Sequence, residues 1–149
     1  MAEFLETTYD KFVFRVKNGF FYSSQDFWAD LQDNKVTIGV TDFLQKVRGD
    51  VAFLEMVEAG TPVKQGEEAG KIETIKATFG IISPVSGTIV EVNEELDAAS
   101  YLINEDPYGK GWIYKVEVTD FEGDKKNLLA AEEYFELMKE KIAEEMKQK

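Results

Sequence analysis

Gly70-Lys71-Ile72-Glu73-Thr74-Ile75-Lys76-Ala77-Thr78-Phe79-Gly80-Ile81-Ile82-Ser83-Pro84-Val85-Ser86-Gly87 is the stretch on which the reading of this chain turns. It reads as strand, exposed turn, strand, with Lys76 in the middle and far from any basic run. A lysine at a hairpin tip is by itself usually a solvated charge. Working outward, short apolar runs broken by glycine continue the pattern. They are Val36-Thr37-Ile38-Gly39-Val40, Val51-Ala52-Phe53-Leu54-Glu55, Thr88-Ile89-Val90-Glu91-Val92 and Trp112-Ile113-Tyr114-Lys115-Val116. Gly60, Gly66, Gly70, Gly80 and Gly87 punctuate them, and Pro62 and Pro84 suit loops or edges. Many short strands at this spacing predict a sandwich or barrel.

The flanks differ. Phe12-Val13-Phe14-Arg15-Val16 predicts a strand with Phe12, Phe14 and Val16 on one face, and Asn18-Gly19 predicts a turn. Residues 1–22 are therefore read as an N-terminal extension. Thr41 to Val47 predicts a short helix, capped by Thr41 or Asp42. From Asn127 to Lys149, Leu128, Leu129, Tyr134, Phe135, Leu137, Met138, Ile142 and Met146 fall near helical spacing and predict a C-terminal helix over 127–149. No linker or low-complexity tract divides the chain, so residues 1–149 are expected to be one domain.

Composition removes several chemistries. The 149 residues include no Cys and no His, with 17 Lys+Arg against 29 Asp+Glu, a net charge of −12. Without cysteine there is no disulfide framework, thiolate nucleophile or cysteine metal site. Without histidine there is no Ser-His-Asp catalysis and no imidazole ligand. Glu91, Glu94, Glu95 and Asp97 lack the spacing of a calcium loop, so no metal is expected. From Gly123 onward seven acids nearly balance six bases, which leaves most of the negative charge on the strand-rich part. An acidic chain is a poor partner for nucleic acid or an anionic membrane. No run approaches the length of a membrane span, and the acidic start lacks a leader's basic and apolar regions. A cytoplasmic location is the expectation.

The neighbours of Lys76 change its meaning. Glu73-Thr74-Ile75-Lys76-Ala77 followed by Ser83-Pro84-Val85-Ser86-Gly87 resembles the lipoyl attachment site of the glycine-cleavage H-protein family. Four further segments resemble the family in the same order: Ile38 to Phe43, Gly49 to Glu55, Glu91 to Leu96, and Asn104 to Trp112. The resemblance spans roughly residues 22–135. It implies a mainly β fold, a flattened barrel-sandwich hybrid of two antiparallel sheets. It also implies lipoic acid in amide linkage to Lys76, with Glu73 and Ala77 beside the lysine as marks for a lipoate ligase or transferase. Biotin is the alternative modification, but biotin carriers usually flank the lysine with methionines where Ile75 and Ala77 stand here. A carrier presents its cofactor and need not catalyse anything, in keeping with the missing Cys and His. A flexible arm raises the cofactor's effective concentration at a docked partner.

The chain also departs from that family. Aligning Trp28 with the tryptophan of the family's H-E-W motif puts Asp26 at the His position and Phe27 at the Glu position. A second acid of the family's arm cleft, four residues past the lysine, is replaced by Gly80, and Val57 replaces a proline. Both carboxylates that would pair with a cationic methylamine are then missing, and an ammonium without a charge partner is costly to bury. Phe27 and Gly80 would then line a less polar arm cleft. This favours a divergent paralogue whose arm carries sulfur intermediates beside a heterodisulfide-reductase-like system. The alternative is a true H protein that shuttles aminomethyl groups among glycine decarboxylase, aminomethyltransferase and dihydrolipoamide dehydrogenase. A further option is drift, with Asp26 or another acid substituting. Outside the carrier class stand an enzyme, for which no constellation is present, and an unmodified relative, against which the intact Lys76 motif argues.

Overall fold

Strand β4 (Phe27–Gln32) shows how the chain builds two cores from one sheet. Successive side chains of a strand point to opposite faces. Phe27 and Ala29 enter one apolar cluster with Val36, Ile38, Ile72 and Ile89, while Trp28 between them enters a second with Phe14, Tyr22, Phe43 and Tyr134. Both faces of this part of the sheet are therefore covered.

The computed structural model describes residues 3–147. In chain order come β1 (Phe4–Tyr9), β2 (Phe12–Lys17), β3 (Phe21–Tyr22), β4, β5 (Lys35–Val40), α1 (Asp42–Arg48), β6 (Val51–Glu55), β7 (Pro62–Val63), β8 (Glu68–Thr74) and β9 (Thr78–Ile82). Then follow β10 (Gly87–Val92), α2 (Glu95–Ala98), α3 (Leu102–Glu105), β11 (Tyr114–Val118), α4 (Phe121–Lys125), β12 (Leu129–Ala130) and α5 (Ala131–Lys147). A seven-stranded sheet runs β12-β3-β4-β5-β11-β10-β7, and a three-stranded sheet runs β6-β8-β9. They enclose the first cluster as a flattened, unclosed barrel-sandwich with antiparallel pairings, as the sequence predicts.

The second cluster lies on the other face of β3 and β4. The separate β1–β2 hairpin and α5 cover it. Ala131, Tyr134, Met138 and Ile142 turn one stripe of α5 inward, and Tyr134 stacks on Tyr22 with centroids 4.6 Å apart. Trp28 fits because its ladder partner is Gly39, where a Cβ would stand 2.7 Å from the indole. Its indole N–H donates to the Pro107 carbonyl at 3.0 Å. The Asp106-to-Trp112 segment thus has a structural use. Tyr108 also donates to the Arg15 carbonyl at 2.7 Å, tying the segment to β2.

Three boundaries need correction. The C-terminal helix begins at Ala131, not Asn127, because Leu129 and Ala130 pair with Tyr22 and Phe21 as β12; residues 148–149 lie outside the described span. The strand expected over 112–116 begins at Tyr114, opposite Ile38, while the Trp112 carbonyl accepts from the Asn93 amide. Phe12, Phe14 and Val16 do share one face of β2, with Phe12 46% exposed at its outer end and the other two buried. The short helix is shifted by one residue to Asp42–Arg48, with Thr41 capping it by accepting from the Leu44 N–H.

The buried tyrosines set an alkaline limit. The hydroxyls of Tyr22, Tyr108, Tyr114 and Tyr134 all donate, to the carbonyls of Lys17, Arg15 and Ala69 and to the Asp26 carboxylate respectively. Burial raises all four phenols above their ordinary range, and the Asp26 charge raises Tyr134 further. The folded protein holds these protons, whereas the unfolded chain releases them near pH ~10. Stability is therefore intact below about pH 10 and falls above it, with a slope approaching about 5 kcal/mol per pH unit if all four protons are lost together. Urea unfolding followed from pH 8 to 11.5 checks this, and tyrosinate absorbance should rise together with unfolding. Gradual ionisation of these four phenols in a still-folded chain would contradict it.

Candidate functional site

Lys76 sits at the tip between β8 and β9, and the tip is shaped by Thr74. The buried Thr74 hydroxyl accepts from the backbone N–H groups of Lys76 at 3.2 Å and Ala77 at 3.0 Å. It donates to the Arg48 carbonyl, the last residue of α1, at 2.7 Å. One donor and two acceptors use the hydroxyl fully. Ile75 N–H reaches the Asp50 carbonyl at 3.1 Å. Asn104 pins the same loop, accepting from Val51 N–H at 2.9 Å and donating to the Gly49 carbonyl at 3.1 Å. The turn backbone is thus fixed on three sides, while the side chains of Ile75 and Lys76 are exposed.

Gly49 explains how the lysine lies. Its φ is +91°, and a Cβ there would come within 3.4 Å of the Lys76 methylenes. The stem rests over this bare backbone. Among the described residues no carboxylate forms an ion pair with the Lys76 ammonium. An exposed, unpaired primary amine on a fixed turn fits acylation: a modifying enzyme can reach it, and no ion pair is lost when its charge is removed.

The structure separates the other predicted positions. Glu73 and Ala77 flank the lysine at the tip, both half-buried. Glu73 faces Phe53 on one side and Thr78 on the other. Phe27 is only 1% exposed and belongs to the core between the sheets. In this structure it lines no open cleft. Gly80 lies on the three-stranded sheet, four residues past Lys76 and across the ladder from Lys71.

Substitution by Asp26 is ruled out by geometry. Asp26, buried and at φ +74°, receives Lys141 at 2.9 and 3.0 Å and the Tyr134 hydroxyl at 2.7 Å. It is committed to fastening α5 onto the β3–β4 turn.

Glu68 reaches across the ladder to Gly80, a contact the sequence does not show. A Cβ built on Gly80 would run into the Glu68 carboxylate, whose Cδ would be 2.9 Å away. The available signal was Gly80 itself, since a glycine inside a strand often marks a close approach. A separate open groove of about 1010 Å³ lies between Met56, Val57, Val90 and Trp112, rimmed by Glu58 and Glu94. Its lining includes no residue of the lysine hairpin. Among the described residues no three acids converge on a metal site, and no helix is long and apolar enough to cross a membrane.

A sandwich of unclosed sheets that fixes one exposed lysine on a hairpin is the architecture of a covalent carrier domain. The profile of the "Glycine cleavage H-protein" family matches residues 20–141, and the chain belongs to that family. A "Probable glycine cleavage system H protein" of Pyrococcus abyssi is 43% identical over 127 residues, 85% of this chain and 94% of that one. The glycine cleavage system H protein of Carboxydothermus hydrogenoformans is 43% identical over 119 residues, 80% of this chain and 91% of its own length. The crystal structure of an H protein from Mycobacterium marinum superposes with a TM-score of 0.73 at 34% identity. It covers 80% of this chain and 95% of the Mycobacterium chain.

These relatives correct the sulfur-carrier expectation. All three bear the glycine cleavage name, and none supports a heterodisulfide-reductase-like role. One physical premise of that expectation also weakens, because a carboxylate does stand at position 80, contributed by Glu68 from the neighbouring strand. The β1–β2 hairpin lies outside the matched span.

Proposed function

We propose that this chain is the lipoyl carrier of a glycine cleavage system, with lipoic acid amide-linked to Lys76 and no catalytic activity of its own. The observation that carries the proposal is the exposed Lys76 amine, without an ion-pair partner among the described residues, on a turn fixed by Thr74. Lys76 would hold the lipoyl group through its side-chain nitrogen, and the group would supply a disulfide able to accept an aminomethyl group from glycine. The chain's own residues hold the tip at a constant geometry, so that only the arm moves between partners. Glu73 and Ala77 are the contacts offered to a lipoate ligase or transferase, as the family resemblance implies. The partners are then glycine decarboxylase, aminomethyltransferase and dihydrolipoamide dehydrogenase. The net charge of −12 favours basic partner surfaces over nucleic acid or anionic membranes, and we place the protein in the cytoplasm.

The test offers the lipoylated chain to glycine decarboxylase with glycine, and the reduced chain separately to a persulfide donor. Glycine-dependent CO2 release should rise with carrier concentration and saturate. Sulfur loading without glycine turnover would overturn the proposal and restore the sulfur reading.

A further inference from the structure

The β1–β2 hairpin forms a sheet of its own with two edges, and the chain closes only one of them. On β2 the outward backbone groups are taken. The Val13 carbonyl accepts from Lys46, Arg15 N–H donates to Asp42, and the Arg15 and Lys17 carbonyls accept from Tyr108 and Tyr22. In an antiparallel pair, residues directly opposite either bond to each other or both point away. Thr8, Glu6 and Phe4 are the ladder partners of Val13, Arg15 and Lys17, so they aim their N–H and C=O groups off the β1 edge. Among the described residues nothing bonds to the backbone groups of Glu6 and Thr8 on that side, and both residues are exposed.

Open sheet edges are usually blunted by lysine, proline or a bulge. β1 reads Phe4-Leu5-Glu6-Thr7-Thr8-Tyr9, with none of these and an unbroken register. The edge is also complementary to itself. An antiparallel pairing of two copies, with the two-fold axis at Thr7, sets Glu6 of each copy opposite Thr8 of the other. Each of these pairs exchanges both backbone bonds. Thr7 then faces its own counterpart, a favourable cross-strand pair. Leu5, Thr7 and Tyr9 share the face of the buried Phe14 and Val16. In this register Leu5 meets Tyr9 of the second copy, a ring that is 41% exposed in the single chain. The turn of the second copy, with Lys11, comes to the end of β1 that holds Glu3. Lys11 forms no ion pair among the described residues of its own chain. Moving the axis to Glu6 would instead set like charges opposite each other.

We propose that the chain dimerises by joining two β1 edges, so that two hairpins become one four-stranded sheet. A lone two-stranded hairpin is marginal by itself, and added strands stabilise it. The pairing does not depend on what the Lys76 arm carries, and it brings two arms to one particle. One strand edge from each copy makes a small interface, so the dimer is reversible and half-formed at roughly 10–100 μM chain.

Sedimentation equilibrium of the full chain from about 1 to 300 μM tests this. The weight-average mass should climb from 16.9 kDa towards twice that value. Thr8→Pro removes one outward N–H and leaves the β1–β2 ladder whole, so it should stay at 16.9 kDa with its urea midpoint little changed. Thr8→Val keeps the N–H and should sediment like the parent. The chain has no cysteine, so Thr7→Cys supplies a single thiol. Opposed residues of a non-hydrogen-bonded antiparallel pair stand at disulfide distance. Mild oxidation should join two copies of Thr7→Cys at least about tenfold faster than two copies of Val13→Cys, whose thiol sits on β2, a strand away from the axis. A parent that stays at 16.9 kDa throughout would overturn the inference. So would a dimer that Thr8→Pro leaves intact, or equal oxidation rates for the two thiols, since either puts the contact on another surface.

Discussion

Lys76→Arg is expected to abolish glycine-dependent turnover completely while leaving the fold intact. The two halves of that result have separate causes. Acylation needs a primary amine that can lose a proton and attack an activated acyl group; a guanidinium stays protonated throughout the working range. The loss is therefore total and is not a weakened version of the same chemistry. The fold is indifferent, because Lys76 is exposed, its ammonium has no ion-pair partner among the described residues, and its stem only rests over Gly49. Arginine keeps the charge and the long methylene stem. Stability should change by less than about 0.5 kcal/mol, the range for surface positions free of special contacts. Decarboxylase coupling and a urea melt on the same preparation check both halves. Turnover retained by the variant would place the arm elsewhere. A large loss of stability would show that the lysine also holds the hairpin tip.

The second large effect is structural and falls on Gly70→Ala. Gly70 has φ +101°, a conformation that side chains rarely adopt. A Cβ there would collide with the Glu55 carbonyl oxygen and stand 3.0 Å from the Tyr114 hydroxyl. Neither neighbour can yield cheaply. Glu55 ends β6 and pairs with Lys71. The Tyr114 hydroxyl donates to the Ala69 carbonyl at 2.8 Å and accepts from Val57 N–H at 2.9 Å, joining β8 to the chain leaving β6. Backbone strain plus one disturbed buried hydrogen bond predicts a cost of about 3–4 kcal/mol. For a chain of this size that is a fall in Tm of roughly 6–16 °C. Gly60→Ala is the internal control. Its φ of +96° is similarly strained, but no atom lies within 4 Å of the added Cβ, so it should cost only about 1 kcal/mol. Equal costs at the two positions would show that φ alone matters and that the packing of β8 does not.

The hairpin that presents Lys76 was legible in the sequence, because both of its strands and its turn lie in one contiguous stretch. The strands Val51–Glu55 and Val36–Val40 were legible because each is a short apolar run bounded by turn residues. What could not be read is whatever depends on partners distant in sequence. Asp26 looks like a spare acid until Lys141 is brought to it across more than a hundred residues. Phe27 looks like a cleft residue when aligned to a family Glu, yet the alternation of β4 sends it into the core. Leu129 fits a helical stripe, but pairing of Leu129 and Ala130 with β3 takes both as strand. Glu68 was hidden for the same reason: its position over Gly80 follows from a register shift in β8, a property of the ladder and of no single strand.

The account stands or falls on the modification of one side chain. The most direct measurement is the intact mass of the parent chain after incubation with a lipoate ligase, followed by peptide mapping of the product. The account predicts a gain of one lipoyl group, located on Lys76. No gain with several ligases, or a lipoyl group on any other lysine, would contradict it.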